Sequence, residues 1–278
     1  MEETAVSMQP PQGGPRSLVA GDALAGVFGT WARHWVRLGA VSLVFLSPGL
    51  ALQLAAAAVG EGQRADIGRS LGIGLLGLAL GSLGSLLATT ALTGAGLRAV
   101  RAEPLPFGLL VGLGIRRAWL VFKVQLVAYW PILLGAAVVG FGASTGNVGA
   151  TVTLLVVVAL ISLGILAQVQ PAVAAALDRP EEPARWAVLR TRRATVGHRR
   201  QILAVILVLG ALEGAAGLAP WAARIWEQPP LTQVLATQVL PWLSAALVTP
   251  LWSLSRAVLH EALIGPPERT EQLAAVFE

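Results

Sequence analysis

The feature that most limits how this chain can fold is the absence of charge over long stretches. The longest uncharged interval runs from Val124 to Leu177 and contains 54 residues. Three further intervals contain 23, 28 and 28 uncharged residues, namely Leu38–Gly60, Ser70–Leu97 and Gln228–Ser255. A helix crosses a bilayer with about 20 apolar residues. Charged residues make up 13% of the chain, about half the share in an average soluble domain, so a water-soluble globule is disfavoured.

The 54-residue interval is too long for one helix and predicts two helices joined by a tight turn. Turn-forming residues lie at its middle, in the sequence Gly142-Ala-Ser-Thr-Gly146-Asn147-Val-Gly149. Another apolar stretch, interrupted by Glu213, continues to Ala223. The sequence therefore predicts six spans, at 39–60, 71–97, 119–141, 150–176, 202–222 and 231–254.

The spans are expected to be helices because every backbone N–H and C=O needs an internal partner in hydrocarbon. A membrane β-barrel would instead alternate polar and apolar residues, and runs such as Leu154–Leu160 do not alternate. The predicted fold class is all-α: a polytopic membrane bundle of six transmembrane helices with basic amphipathic interfacial helices.

The distribution of basic residues predicts the orientation of the six spans. Of the 20 basic residues, all but Lys123 are arginines, and alternating loops place 17 on one side and 3 on the other. Short cytoplasmic loops carry an excess of Lys and Arg. The chain is therefore expected to lie in the cytoplasmic (inner) membrane, with both termini in the cytoplasm.

The two ends of the chain are expected to lie outside the bundle. Residues 1–16 are polar and rich in Pro and Gly, with Glu2 and Glu3 where a cleavable signal peptide would be basic. We expect 1–16 to be a disordered cytoplasmic tail, 17–262 to form the membrane domain, and 263–278 to form a cytoplasmic tail.

Basic segments with an apolar stripe precede the first, third and fifth spans. Before span five, Trp186, Leu189 and Val196 share a helix face, and arginines crowd the rest. Arginine suits phosphate, so we expect contacts with anionic lipid headgroups at Arg190, Arg192, Arg193, Arg199 and Arg200. The alternative is that these charges only set the topology. Nucleic acid is not an expected partner, because the sequence contains no recognition module.

One acidic residue, Glu213, lies near the middle of a predicted span. A carboxylate at the bilayer centre costs about 2.5–3.5 kcal/mol on insertion scales, so it is expected to face the bundle interior. Gln168 and Gln170 of span four are the expected partners, and together the three form a predicted intramembrane polar site. The site is either a structural tie between helices or a proton- or substrate-coupled site.

No constellation of residues typical of an enzyme occurs in the sequence. There is no cysteine, so disulfides and thiolate chemistry are excluded. The three histidines, His34, His198 and His260, are expected at cytoplasmic or interfacial positions, away from the serine between the glycines 142 and 146. The sequence shows no metal-ligand spacing and no nucleotide-binding glycine motif. We therefore predict no catalytic residue, no cofactor and no metal.

The junction between spans four and five reads Gln170-Pro-Ala-Val, followed by Arg185-Trp-Ala-Val-Leu-Arg-Thr191-Arg-Arg. It resembles the element Ala-Leu-x-x-Ser-Trp-x-Leu…Trp-Arg of a group of six-helix bacterial membrane proteins, which includes the membrane domain attached to some glycerophosphodiester phosphodiesterases. Thr191 replaces the usual Ser, Arg192 replaces the usual aromatic residue, and Trp252-Ser-Leu-Ser-Arg256 does not match the group's C-terminal signature. The resemblance implies a six-helix domain over 20–260 and no phosphodiesterase activity, because the soluble catalytic domain has no counterpart in this sequence.

Two functions are compatible with these features. The first is a non-catalytic integral membrane protein: a scaffold, an accessory subunit or a factor in envelope and lipid homeostasis. The alternative is a small transporter or lipid-moving permease with a polar path around Glu213. Membrane lipids are the expected partners. A small-residue stripe in span two, Gly77, Gly81, Ser85 and Thr89, also permits a membrane-protein partner or a homodimer.

Overall fold

The computed structural model describes residues 18–62, 67–144, 148–225 and 239–265, and this part of the chain contains eight α-helices and no strand. The helices are α1 (Ala20–Gly62), α2 (Ile67–Val100), α3 (Phe107–Ser144), α4 (Val148–Val169), α5 (Ala172–Asp178), α6 (Ala184–Ala194), α7 (Arg199–Ile225) and α8 (Leu240–Ile264). The prediction of an all-α fold is confirmed.

Six helical segments are long and apolar enough to cross a membrane, so the chain has the architecture of a multi-pass membrane protein. They are Ala20–Leu52, Gly72–Val100, Phe107–Gly142, Val148–Asp178, Arg199–Leu218 and Leu240–Ile264. Their outward surfaces are apolar: Leu133 on α3 is 60% exposed, and Val148 at the start of α4 is 75% exposed. Large apolar side chains directed outward along whole helices fit a lipid environment. The predicted number of spans is confirmed.

The core is divided between two groups of helices. Helices α1, α2 and α8 pack around Leu38, Leu92 and Leu254, which are fully buried. Beside them, α3, α5 and α6 share a second cluster that includes Val121 and Val173. Three parts of the chain meet at one end of the bundle: the segment after α2, the end of α5 and the end of α8. If successive spans cross the membrane in opposite directions, the segment after α2 and the end of α5 must lie on the same side. The structure brings both together with the end of α8.

Two of the three predicted interfacial segments are not separate helices. The segment before span one continues into it as α1, which has 43 residues and is about 64 Å long, twice the roughly 30 Å hydrocarbon core. The segment before span three likewise continues into α3. Unbroken helix keeps the backbone groups at the membrane boundary paired, whereas a bend there would leave some of them without partners. The segment before span five does form a separate helix, α6.

Predicted span four is broken near its end. Pro171 separates α4 from α5, because proline has no N–H to continue the ladder and its ring clashes with the preceding turn. Predicted span six ends too early at residue 254, since α8 continues through Arg256, His260 and Glu261 to Ile264. The side chains of His260 and Glu261 are buried inside the protein and do not face lipid.

Several predictions fall partly or wholly outside the described residues. These are the tail at 1–16, residues 266–278 of the C-terminal tail, the centre of the turn at 145–147, and the beginning of span six at 231–238.

Glycines allow α1 and α2 to approach closely. A Cβ on Gly49 would lie 2.8 Å from the Cα of Gly81, and a Cβ on Gly84 would collide with the carbonyl oxygen of Phe45. Close backbone approach gains dispersion contacts, which drive helix association where lipid gives no hydrophobic drive. Gly81 belongs to the stripe identified in the sequence, so one of its contacts lies within the chain.

We predict that Gly49→Ala destabilises the folded bundle by about 1–3 kcal/mol, because the new methyl group meets backbone and α1 must move away from α2. Thermal unfolding of the purified protein in detergent measures the effect. Gly39→Ala on the same helix is the matched control, since a Cβ there meets nothing within 4 Å. Equal melting temperatures for the two variants would contradict the packing described above.

Candidate functional site

Four ionisable side chains from three helical segments meet at one end of the bundle and form what we call the ion cluster: Arg101, Asp178, His260 and Glu261. Arg101 donates from Nη2 to Oδ1 of Asp178 at 2.5 Å and from Nε to Oε1 of Glu261, also at 2.5 Å. The ring nitrogen Nε2 of His260 lies 3.4 Å from Oδ2 of Asp178. One guanidinium therefore links the loop after α2 to the ends of α5 and α8.

The end of α2 is shaped to present Arg101. Ala102 has a φ of 54°, the left-handed conformation that terminates helices, and the N–H of Glu103 bonds the carbonyl of Arg98 at 2.8 Å. Arg98 then donates from Nε to the carbonyl oxygen of Pro104 at 3.0 Å. An alanine in this conformation costs about 1–2 kcal/mol relative to a right-handed one, so the loop is held by its contacts.

The ion cluster is deeply placed. His260 and Glu261 are each 1% exposed, whereas the side chains of Arg101 and Asp178 are 19% and 25% exposed. Burial by itself lowers the pKa of Arg101, but its hydrogen bond to Asp178 and the charge of Glu261 more than offset this and raise the pKa above its ordinary value. The guanidinium is therefore permanently charged, and it faces two carboxylates.

The arginines of the second candidate site do not all have the same role. Arg190 donates from Nη2 to the carbonyl oxygen of Ala175 at 3.0 Å, and its Nη1 pairs with Glu182 at 3.2 Å, so it ties α6 to α5. Arg192 is half-buried, whereas Arg193, Arg199 and Arg200 are exposed. Of the five predicted headgroup contacts, these last three have their side chains open to the surroundings.

A cleft of about 450 Å³ runs along the outer face of α6, and we call it the α6 cleft. It is lined by Arg179, Glu182, Trp186, Leu189, Arg190 and Arg193. The opposite face of α6 is buried against the bundle through Ala187, Val188 and Thr191. The cleft thus combines cationic and apolar side chains on one surface.

The predicted intramembrane polar site is not assembled as expected. Oε2 of Glu213 accepts a hydrogen bond from Nε1 of Trp252 at 2.9 Å, and the Glu213 side chain is exposed on the chain's own surface. Glu213, Ser244, Thr249 and Trp252 line a cavity of about 220 Å³. The expectation that Glu213 faces the bundle interior and pairs with Gln168 or Gln170 is therefore wrong.

The two glutamines have partners other than Glu213, one on α8 and one just before α7. Gln170 is 1% exposed and donates from Nε2 to Oγ of Ser255 at 3.2 Å. The backbone carbonyl of Gln168 accepts from Oγ1 of Thr195, just before α7, at 3.3 Å. Glu213 itself pairs with Trp252, so neither glutamine is its hydrogen-bond partner.

Sequence reasoning missed the ion cluster as a unit and missed Trp252 as the partner of Glu213. Asp178 and His260 are 82 positions apart, so no local spacing indicates that they meet. The available signal was positional, since Asp178 closes the longest uncharged interval and Arg101 follows another. Ionisable residues at the ends of apolar helices on the same side of a bundle can meet when those helices pack together.

No family model matches the chain, and neither the curated proteins nor the solved structures include one with significant similarity to it. The resemblance to the membrane domain of glycerophosphodiester phosphodiesterases stays a prediction.

We predict that Glu213→Gln leaves the stability of the protein unchanged, because a glutamine carbonyl can accept the hydrogen bond from Trp252. Glu213→Leu should lower stability by about 1–3 kcal/mol, since the indole N–H loses its acceptor. Thermal unfolding in detergent measures both.

Trp252→Phe is the matched control, because it removes the donor and keeps most of the ring. If the hydrogen bond carries the effect, Glu213→Leu combined with Trp252→Phe should cost less than the sum of the single changes. A loss of stability in Glu213→Gln as large as that in Glu213→Leu would overturn the assignment of this hydrogen bond as a tie between α7 and α8.

Proposed function

We propose that this chain is a non-catalytic integral protein of the bacterial cytoplasmic membrane that binds anionic lipid headgroups at the α6 cleft. In such a role it would serve as a scaffold, an accessory subunit or a factor in envelope and lipid homeostasis. The observation that carries the proposal is the juxtaposition, along one helix face, of open arginine side chains with outward-facing apolar ones.

The apolar half of the cleft suits the boundary between headgroups and acyl chains. Trp186 is 49% exposed and Leu189 is 41% exposed, although both lie on α6, whose other face is buried. Indole rings concentrate at the headgroup level because one edge is polar and the body is apolar. A helix anchored on one face and apolar on the other is typical of an element lying in the interface.

The cationic half of the cleft suits a phosphate. The side chain of Arg179 is 58% exposed and contacts Glu182 at 3.3 Å, and Arg193 is exposed at the rim. Arg190 is held by the backbone of Ala175 as well as by Glu182 and is largely covered, so it shapes the wall, whereas the more exposed Arg179 and Arg193 can meet the ligand. Each surface cation contributes about 1 kcal/mol to attraction by an anionic leaflet, and the planar guanidinium can bond two phosphate oxygens.

The orientation of the chain follows from the same charges. The α6 cleft lies on the side that carries 17 of the 20 basic residues. We therefore place both termini and the cleft on the cytoplasmic face, where anionic lipid and the excess of arginine favour the same arrangement.

The direct test is binding of phosphatidylglycerol to the purified full chain in a neutral detergent, with phosphatidylcholine as the neutral lipid. The double variant Arg179→Gln/Arg193→Gln should weaken phosphatidylglycerol binding about 10- to 30-fold, since two cations of about 1 kcal/mol each are lost. Phosphatidylcholine binding should not change.

The matched control is Arg33→Gln/Arg37→Gln, which removes two exposed arginines from α1 and leaves the cleft intact. This control should keep most of the wild-type affinity for phosphatidylglycerol. An equal loss in both double variants would assign the binding to total charge rather than to the cleft, and no loss in the cleft variant would overturn the proposal.

A second candidate function is a small transporter or lipid-moving permease, and the cavity at Glu213 favours it. The carboxylate of Glu213 opens into a space of about 220 Å³ along the first half of α8, beside the hydroxyls of Ser244 and Thr249. This candidate ranks second because neither Gln168 nor Gln170 lines that cavity. A proton-coupled site would need the ionisable carboxylate, so transport lost in Glu213→Gln with unchanged stability would favour the permease.

A further inference from the structure

Some buried polar atoms of the ion cluster take no part in its hydrogen bonds. Arg101 uses Oδ1 of Asp178 and Oε1 of Glu261. Among the described residues, Oε2 of Glu261 and Nδ1 of His260 have no hydrogen-bond partner, and Nε2 of His260 has only its contact of 3.4 Å with Oδ2 of Asp178, although the side chains of His260 and Glu261 are each 1% exposed. A buried polar group without a partner costs about 1–3 kcal/mol, so native proteins seldom tolerate several in one place.

We propose that the ion cluster is a binding site for a divalent first-row metal ion, held by one carboxylate oxygen each of Asp178 and Glu261 and by Nε2 of His260. One donor atom from each of these residues lies within 4.8 Å of the other two. Arg101 binds Oδ1 of Asp178 and Oε1 of Glu261 and thereby orients both carboxylates, as outer-shell groups do in metal sites.

The distances suit a small cation. Zinc lies about 2.0–2.2 Å from nitrogen and carboxylate oxygen ligands, which in a tetrahedron separates the ligands by about 3.4 Å. His260 Nε2 and Asp178 Oδ2 are 3.4 Å apart. Asp178 is the most open of the three ligands, at 25% exposure, so the fourth coordination position and the path of entry lie on its side.

The charge of the ion cluster also favours a cation. The carboxylates of Asp178 and Glu261 face one guanidinium, and Glu261 is almost fully buried. A buried charge needs a compensating partner. A divalent ion bound between the two carboxylates would supply such a partner.

The donor set narrows the kind of ion. One imidazole nitrogen with two carboxylate oxygens suits Zn²⁺, Mn²⁺ or Fe²⁺, whereas Mg²⁺ prefers six oxygen ligands and retains its waters. Because Asp178 ends α5 while His260 and Glu261 lie near the end of α8, the ion would join two helices that Arg101 also contacts. The proposal does not depend on lipid binding at the α6 cleft.

The test uses the purified full chain, stripped with a chelator and then supplied with ZnCl₂, MnCl₂ or MgCl₂. We expect one tightly held zinc or manganese ion per chain by elemental analysis, and a rise in Tm that MgCl₂ at the same concentration does not produce. His260→Gln should weaken binding at least tenfold and abolish the rise in Tm. His198→Gln is the matched control, because it removes a histidine outside the ion cluster and should keep both.

A measurement on the unaltered chain makes the test independent of whether His260→Gln folds. Replacing the ion with Co²⁺ should give visible absorption bands of a four-coordinate site with nitrogen and oxygen ligands. The absence of stoichiometric uptake by the wild-type chain, the absence of those bands, or an uptake that persists in folded His260→Gln would overturn the proposal.

Discussion

The constraint on which this structure depends is that no backbone amide can remain unpaired in hydrocarbon. The chain contains 31 glycines and 17 prolines, residues that weaken helices in water, yet the described part forms long helices. The same constraint explains why α1 and α3 extend without a break through the regions where separate interfacial helices were expected. Glycine is used instead for contact, as where Gly49 meets Gly81.

Charged groups are concentrated at one end of the bundle, and there they perform two tasks. In the ion cluster, Arg101 connects the end of α2 to Asp178 and Glu261, so one side chain holds three segments that are distant in sequence. Removing one partner of such a buried pair typically costs about 3–5 kcal/mol, because the other charge is left uncompensated. On the α6 surface, in contrast, Arg193 is open to the surroundings and free to meet an external anion.

Much of the architecture could be predicted from where charge is absent, because bilayer thickness imposes a length that sequence reveals directly. The number of spans and the all-α class follow from this one measure. The break at Pro171 and the continuation of α8 past Arg256 could not be predicted in the same way. The first depends on how a proline is placed near a helix end, and the second depends on partners for His260 and Glu261 that come from other helices.

In the candidate sites, likewise, contacts within one helix could be predicted and contacts between helices could not. Trp186 and Leu189 lie on one short helix, so their shared outer surface was predicted from helical spacing, whereas Arg193, expected away from that surface, lines the same cleft. Glu213 was identified as unusual because of its depth, but its partner was not, since Trp252 lies on a helix 39 positions away. Pairing between helices depends on the relative rotation of the helices, and the pattern of apolar residues in uniformly apolar spans does not determine that rotation.

The most direct test of the account is the sidedness of six crossings with the arginine-rich end in the cytoplasm. The chain has no cysteine, so a single introduced thiol can be probed in intact cells with a membrane-impermeant maleimide. Thiols at Gly14→Cys, Glu181→Cys and Thr270→Cys should be protected until the cells are permeabilised, whereas those at Gln63→Cys and Gln228→Cys should react at once. Labelling of only one of the two termini in intact cells, or the same reactivity at positions 63 and 181, would contradict the account.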